Sequence, residues 1–240
     1  MGMLDRTTAL RRMKTVGWLA ATPDWFSSAV LERSSLHEFE KGEWIYRVGQ
    51  TGDGLWGVAE GGLHVEFTQG VHAPRTGIFA SVGFWTGEGS LIVREARSVG
   101  LRTTRPTQMV HLSQKAFMTI ASAHGEAWRW VGLLTFFHMV NVIGLREDLC
   151  LKDPEMRVLA TLSRMTGTHW GGPPRSDDGS GPGVTIDISQ GDLAELCNVS
   201  RAFLSGILVS LKNEGLVEPG YGSIRFPDPG ALRDRMMVEH

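Results

Sequence analysis

Apolar positions up to about Ser34 recur at helical spacing: Leu10, Met13 and Trp18, then Trp25, Phe26, Val30 and Leu31 beyond a Thr22-Pro23-Asp24 helix start. From Leu36 the period changes to an alternation of apolar and polar residues in short runs. These runs are broken by Gly42, Gly49, Gly52, Gly54, Gly57 and the Gly61-Gly62 pair, which predicts short antiparallel strands joined by tight turns. The alternation continues through Thr76–Val82, Gly100–Thr104 and Gln108–Leu112, giving roughly eight strands and a small barrel or roll.

After Ser113 and Gln114, which read as a helix start, the period returns to that of a helix. Trp128, Val131, Thr135, His138, Val142, Leu145 and Leu149 are spaced 3, 4, 3, 4, 3, 4, a heptad seam on a helix of about 25 residues and ~37 Å. An ordinary amphipathic helix packed on its own domain accounts for such a seam. A second apolar set, Trp130, Leu133, Leu134, Phe136 and Phe137, can instead face the roll while the seam meets a second copy of the chain. The two-faced character favours a dimer helix, with Val131, Thr135, His138, Val142, Leu145 and Leu149 in the interface.

Asp153-Pro154 opens a further helix through Met165. A glycine- and proline-rich stretch over 167–183 then predicts a loop inserted within one small domain, ahead of a strand VTIDI. Next, Leu193, Ala194 and Leu196 give a short helix and Asn198-Val199 a tight turn. Ser200 caps a second helix with Leu204, Ile207, Leu208 and Leu211 facing inward. Any two-helix hairpin shares this spacing. The residues beyond the second helix narrow the choice: Gly215-Leu216-Val217, a turn at Pro219 to Gly222 and the strand Ser223–Phe226 form a wing beside a helix-turn-helix. The expected fold is α+β: 1–125, N-terminal helices and an antiparallel, jelly-roll-like β-roll; 126–151, a long dimerisation helix; 152–240, a winged helix-turn-helix.

Charge and cysteine content limit the chemistry. The 240 residues carry a formal net charge of −2, and from Lys152 onward 9 basic against 12 acidic residues give −3. Any DNA contact must come from a local patch, which suits sequence-specific binding better than non-specific coating. Two cysteines, Cys150 and Cys197, exclude a disulfide framework and a four-cysteine cluster; both are expected to be reduced and buried. No metal site is expected, because the eight histidines show no ligand spacing. The sequence shows no apolar run of ~20 residues for a membrane span and no secretory signal pattern at its start, so a cytoplasmic location is expected.

The phrases DLAELCNVSRAFLSGILVSLKNEGLV and GEWIYRVGQTGDGLWGVAEGGLHV, in that spacing and order, resemble the helix-turn-helix and β-roll of the CRP/FNR family of bacterial transcription regulators. The resemblance runs from Leu36 to Leu232. It implies a homodimer on a near-palindromic double-stranded DNA site, with RNA polymerase as a further partner. It also implies a phosphate-binding cassette at Gly87, Glu88, Arg97, Ser98 and Val99. There a carboxylate accepts from a ribose hydroxyl, an arginine grips a cyclic phosphate, and the N–H groups after Glu88 add to the grip. The effector would be a cyclic nucleotide, cAMP or cGMP.

This chain departs from the family pattern at several points. The Glu88-to-Arg97 interval is one residue shorter; Trp85, Arg94 and Glu95 crowd the cassette; and Val142 and Ile143 stand where adenine-selective members carry hydroxyl residues. Glu88 and Arg97 can also pair with each other in a pocket that binds nothing, which leaves a ligand-independent regulator as the alternative. The N-terminal cysteines of iron–sulfur members are missing, and a haem sensor would need an axial ligand such as His64, His72 or His111. An enzyme finds no Walker A, GxSxG or carboxylate–histidine pattern.

For DNA, the expected contacts are Gln190, Ser200, Arg201, Ala202, Ser205 and Lys212. Arg201 reads a guanine, a thymine methyl lies near Ala202 or Phe203, and Ser200, Ser205 and Lys212 meet phosphates. A phosphate contact alone is the other reading of Arg201. Two of the family's three base readers are replaced here, by Ala202 and Gly206, so the operator should differ.

Overall fold

The computed structural model describes residues 4–67, 75–167 and 183–238. The described residues form two compact units, one reaching His138 and the other beginning at Met139.

In the first unit, helix α1 (Arg6–Thr15), a 3₁₀ turn (Trp18–Ala21) and α2 (Asp24–Glu32) precede the strands. Asp5 caps α1 by accepting from the Thr8 N–H, and Pro23 stands before α2. Eight strands follow: β1 (Ser35–Phe39), β2 (Trp44–Tyr46), β3 (Gly54–Glu60), β4 (Gly62–Phe67), β5 (Arg75–Ser81), β6 (Trp85–Thr86), β7 (Val99–Thr103) and β8 (Thr107–Ser113). They pair antiparallel as two four-stranded sheets, β1-β8-β3-β6 and β2-β7-β4-β5, the roll expected from the alternation. Tyr46, Trp56, Val58, Leu63, Val65, Ala80, Leu101 and Met109 pack the interior from both sheets.

The other face of β3 and β8 is also covered. Leu55, Val110 and Leu112 meet Met13, Trp18, Phe26 and Phe117 in a second core, and this explains why β3 reads as a continuous buried run. Gly57 is required there, since a Cβ would lie 2.5 Å from the Trp85 ring. α3 (Glu88–Val93) interrupts the strands after β6, and α4 (Gln114–Ala123) starts at a Ser113 cap.

α5 runs from Ala127 to Cys150, 24 residues. Its first turns belong to the second core: Ala127, Val131 and Leu134 are buried, Trp130, Leu133 and Phe137 lie against them, and the Trp18 indole donates to Trp130 O at 2.8 Å. Val131 is therefore not on an open seam as the heptad spacing suggests; it has no exposed surface. Phe136, assigned from sequence to the roll-facing set, points outward instead, 51% exposed. The two sets interlock in sequence, and a 3.6-residue period drifts across a strict 3.5 repeat, so the buried stripe takes residues from both.

The second unit holds α6 (Pro154–Met165), β9 (Val184–Ile186), α7 (Gln190–Leu196), α8 (Arg201–Asn213), β10 (Glu218–Gly220), β11 (Ser223–Phe226) and α9 (Pro229–Val238). Asp153 caps α6 through the Glu155 N–H, 2.9 Å away. Leu159, Leu162, Leu193, Leu204, Leu208, Leu211, Val217, Phe226 and Leu232 make its core. Within this unit Arg164 grips Asp148 with both Nε (2.7 Å) and Nη2 (2.9 Å), and Gly144 leaves room, since a Cβ there would meet the guanidinium at 2.2 Å. Most of the loop expected over 167–183 lies outside the described residues. Cys197 is buried as expected; Cys150 is exposed, contrary to expectation, because the end of α5 turns it to solvent.

Candidate ligand pocket and nucleic-acid interface

Gly87 adopts φ 109°, and a Cβ on it would fall 2.3 Å from Gly54 O and 2.6 Å from the Arg97 guanidinium. Glycine at this position lets α3 begin against β3. Glu88 is the first residue of α3, and its side chain is 13% exposed. Its Oε1 meets His138 Nδ1 at 2.7 Å, and the His138 ring lies 5.3 Å from that of Phe84. Burial pushes the Glu88 carboxyl upward, but the His138 hydrogen bond and charge, together with backbone hydrogen bonds from Glu88 and Gly87, outweigh it and hold the group below its ordinary value.

Arg97 is 4% exposed. Its backbone is clamped by N–H to Gln50 O (2.8 Å) and by its own carbonyl accepting from Gly49 (2.8 Å). Nη2 donates to Asp53 Oδ1 and to Gly54 O (3.1 Å), while the guanidinium sits 4.1 Å from the Tyr46 ring centroid. Burial pushes the Tyr46 hydroxyl up to about 12 against the pull of Arg97, so it stays neutral. Asp53 also accepts from the Trp56 indole at 3.1 Å and faces His111 at 3.5 Å. Sequence reasoning gives Asp53 no role and places His138 in the dimer seam. Neither belongs to the cassette phrase, and only the folded register of β3 and α5 brings them to it.

Glu88 and Arg97 do not pair with each other. Each has a different internal partner, yet Glu88 Oε2 and Arg97 Nε and Nη1 are buried with no hydrogen-bond partner in the protein. An acceptor and two donors of opposite charge thus stand unused in one loop region, the complement of a ligand that donates from a hydroxyl and accepts through an anionic oxygen. Ser98 is exposed, and Val99 opens β7 half-buried. Of the histidines weighed as haem ligands, His64 lies against Phe79, His111 is stacked on Trp56 and His72 is outside the described residues. Among the described residues no group of three metal-binding side chains occurs.

α7 and α8 meet at 104°, within the range of a helix-turn-helix. Ser189 caps α7 by accepting from the Asp192 N–H (3.1 Å), and Ser200 caps α8 from Phe203 (3.1 Å). Asn198 takes the left-handed conformation in the turn, φ 50°, which asparagine tolerates. Val199, in the turn, is half-buried. Arg201, Ala202, Phe203, Gly206, Val209 and Lys212 are exposed along α8, while Gln190 and Ser205 are half-buried. The wing is β10 and β11 with Tyr221, fully exposed, at its tip. The turn is Tyr221-Gly222, two residues shorter than expected, because Pro219 and Gly220 pair within β10.

On α5, Thr135 is exposed and bonds back to Val131 O (3.3 Å). His138 is engaged by Glu88, Leu145 is half-buried, and Val142 and Leu149 are exposed. Among the described residues no single helix is long and apolar enough to cross a membrane.

Residues 36–124 match the cyclic nucleotide-binding domain and residues 156–235 the Crp-like helix-turn-helix domain. No curated protein sequence matches the chain. Among solved structures it is similar to a protein of Ruegeria pomeroyi DSS-3 named for cyclic nucleotide binding, with TM-score 0.69 and 14% identity over 98% of this chain and 99% of that one. FixK2 from Bradyrhizobium japonicum aligns with TM-score 0.65 and 15% identity, over 84% and 96%. The c-di-GMP responsive global regulator CLP of Xanthomonas campestris aligns with TM-score 0.59 and 18% identity, over 85% and 99%. At such identities the structures establish a shared fold, and the two domain matches, in this order along one chain, establish the lineage: the chain belongs to the CRP/FNR family of transcription regulators.

Proposed function

We propose that the protein is a dimeric, sequence-specific DNA-binding regulator whose affinity for DNA is set by a small anionic ligand held at Glu88 and Arg97. The observation that carries this reading is the set of unpartnered buried atoms, Glu88 Oε2 and Arg97 Nε and Nη1, since leaving charged groups unsatisfied costs stability unless a ligand completes them. A cyclic nucleotide, cAMP or cGMP, supplies both a hydroxyl donor and an anionic phosphate; a cyclic dinucleotide, to which CLP is named as responsive, offers the same groups. No role as an enzyme is assigned. The chain acts in the cytoplasm on a near-palindromic operator, with RNA polymerase as a further partner.

The dimer face is the outward side of α5: Phe136, Met139, Val142, Ile143 and Leu149, each about half exposed. Gly132 lies one turn before Phe136 with open space over it, which lets a second helix approach.

Thermal shift against cAMP, cGMP and c-di-GMP tests the ligand reading, because a ligand at 100 times its Kd adds ~2.7 kcal/mol. The second reading, a ligand-independent regulator with a closed pocket, is favoured by the internal partners Asp53 and His138. No shift with any of the three supports it.

A further inference from the structure

Gly206 is the sixth of the thirteen residues of α8. Glycine is a poor helix-interior residue, costing about 1 kcal/mol against alanine, so a close packing contact is the first reason to look for. Packing gives none: a Cβ built on Gly206 meets nothing within 4 Å, whereas one on Gly57 or Gly144 strikes a neighbour. Its φ is not positive either. No contact within the chain calls for the missing side chain, and Gly206 leaves the exposed face of α8 open to close approach by an outside partner. Around Gly206, at helical spacing, the exposed face of α8 carries Ala202, Phe203 and Val209, with Arg201 and Lys212 as the cations toward its two ends.

Resting on the DNA-binding reading, we infer that Gly206 is the point where α8 comes closest to the duplex. The apolar face around it, Ala202 and Phe203 above all, reads C5-methyl groups in the major groove. An apolar side chain contacts thymine there, and only A·T pairs in unmodified DNA present that methyl. The half-site is thus thymine-rich under the first turns of α8, with a guanine for Arg201.

Selection from a random DNA pool with the full-length protein, with and without cAMP or cGMP, supplies the operator. Titrations then compare wild type, Gly206→Ala and Phe203→Ala on that operator and on the same duplex with single thymines replaced by deoxyuridine. Gly206→Ala is expected to melt at or above the wild-type temperature while binding the operator at least tenfold more weakly. At one or more half-site positions deoxyuridine should weaken wild type severalfold, and Phe203→Ala by less. Equal operator affinity of Gly206→Ala and wild type overturns the close approach. Indifference of wild type to every deoxyuridine overturns the methyl reading. No enriched motif from wild type overturns the DNA-binding assignment itself, a result distinct from the other two.

Discussion

Glu88 and His138, fifty residues apart, share a hydrogen bond of 2.7 Å between Oε1 and Nδ1, so the cassette carboxylate is held by the long helix α5. Because Glu88 is held below its ordinary value of 4.5, the stability it contributes is present above about pH 4.5 and lost as the pH falls through its folded value. His138→Ala removes the largest of the contributions that offset burial. It should cost about 1–3 kcal/mol at neutral pH, and the gap from wild type should narrow in acid. Melting curves from pH 3 to 7 check this; a gap that does not vary with pH would assign the bond no electrostatic role.

Arg97→Ala should weaken any nucleotide that binds by roughly ten- to a hundredfold, the worth of a charged hydrogen bond. Asp53→Asn removes the carboxylate competing for the guanidinium and should tighten binding of the same ligand. Calorimetry showing equal affinity in the Arg97 variant would place the ligand elsewhere.

Met139→Glu with Ile143→Glu is expected to give monomer in sedimentation, since both side chains are exposed on the outer stripe of α5. Val131→Glu should instead destabilise the roll by several kcal/mol, because a charge enters a closed core. A dimer that survives the double change would move the interface off this stripe.

Burial pushes the Cys197 thiol up to about 11, while Cys150 is exposed. An aromatic disulfide reagent at pH 8 should therefore titrate one thiol per native chain and two after denaturation. Cys150→Ser should abolish the fast reaction.

Arg201→Ala should relax the preference at one position of each half-site by ~1–3 kcal/mol if Arg201 meets a base. A phosphate contact alone predicts uniform weakening and a salt slope lower by about one per subunit. Sites selected from a random pool by both proteins tell these apart.

The sequence is legible wherever periodicity and local chemistry suffice. Alternation with glycine breaks locates the strands of the roll, and the caps Ser113, Asp153 and Ser200 are visible because capping is a local bond. Gly87, Glu88 and Arg97 stand out as a phrase. Their partners do not, because Asp53 reaches Arg97 across 44 positions and His138 reaches Glu88 across 50. The heptad count puts the fully buried Val131 on an open seam for a similar reason: it ranks apolar positions but does not reveal which side a roll already covers.

The clasp between Asp148 and Arg164 decides where this chain can be cut. A fragment begun at Lys152, the boundary suggested by sequence, keeps Arg164 but loses both its bidentate partner Asp148 and the turn of α5 that covers it, so the guanidinium gives up two charged hydrogen bonds and turns to solvent. One begun at Met139 retains the pair. The final turns of α5 thus group with the second unit, and a graft of that unit onto another sensor is expected to be more stable when the splice falls at or before Met139.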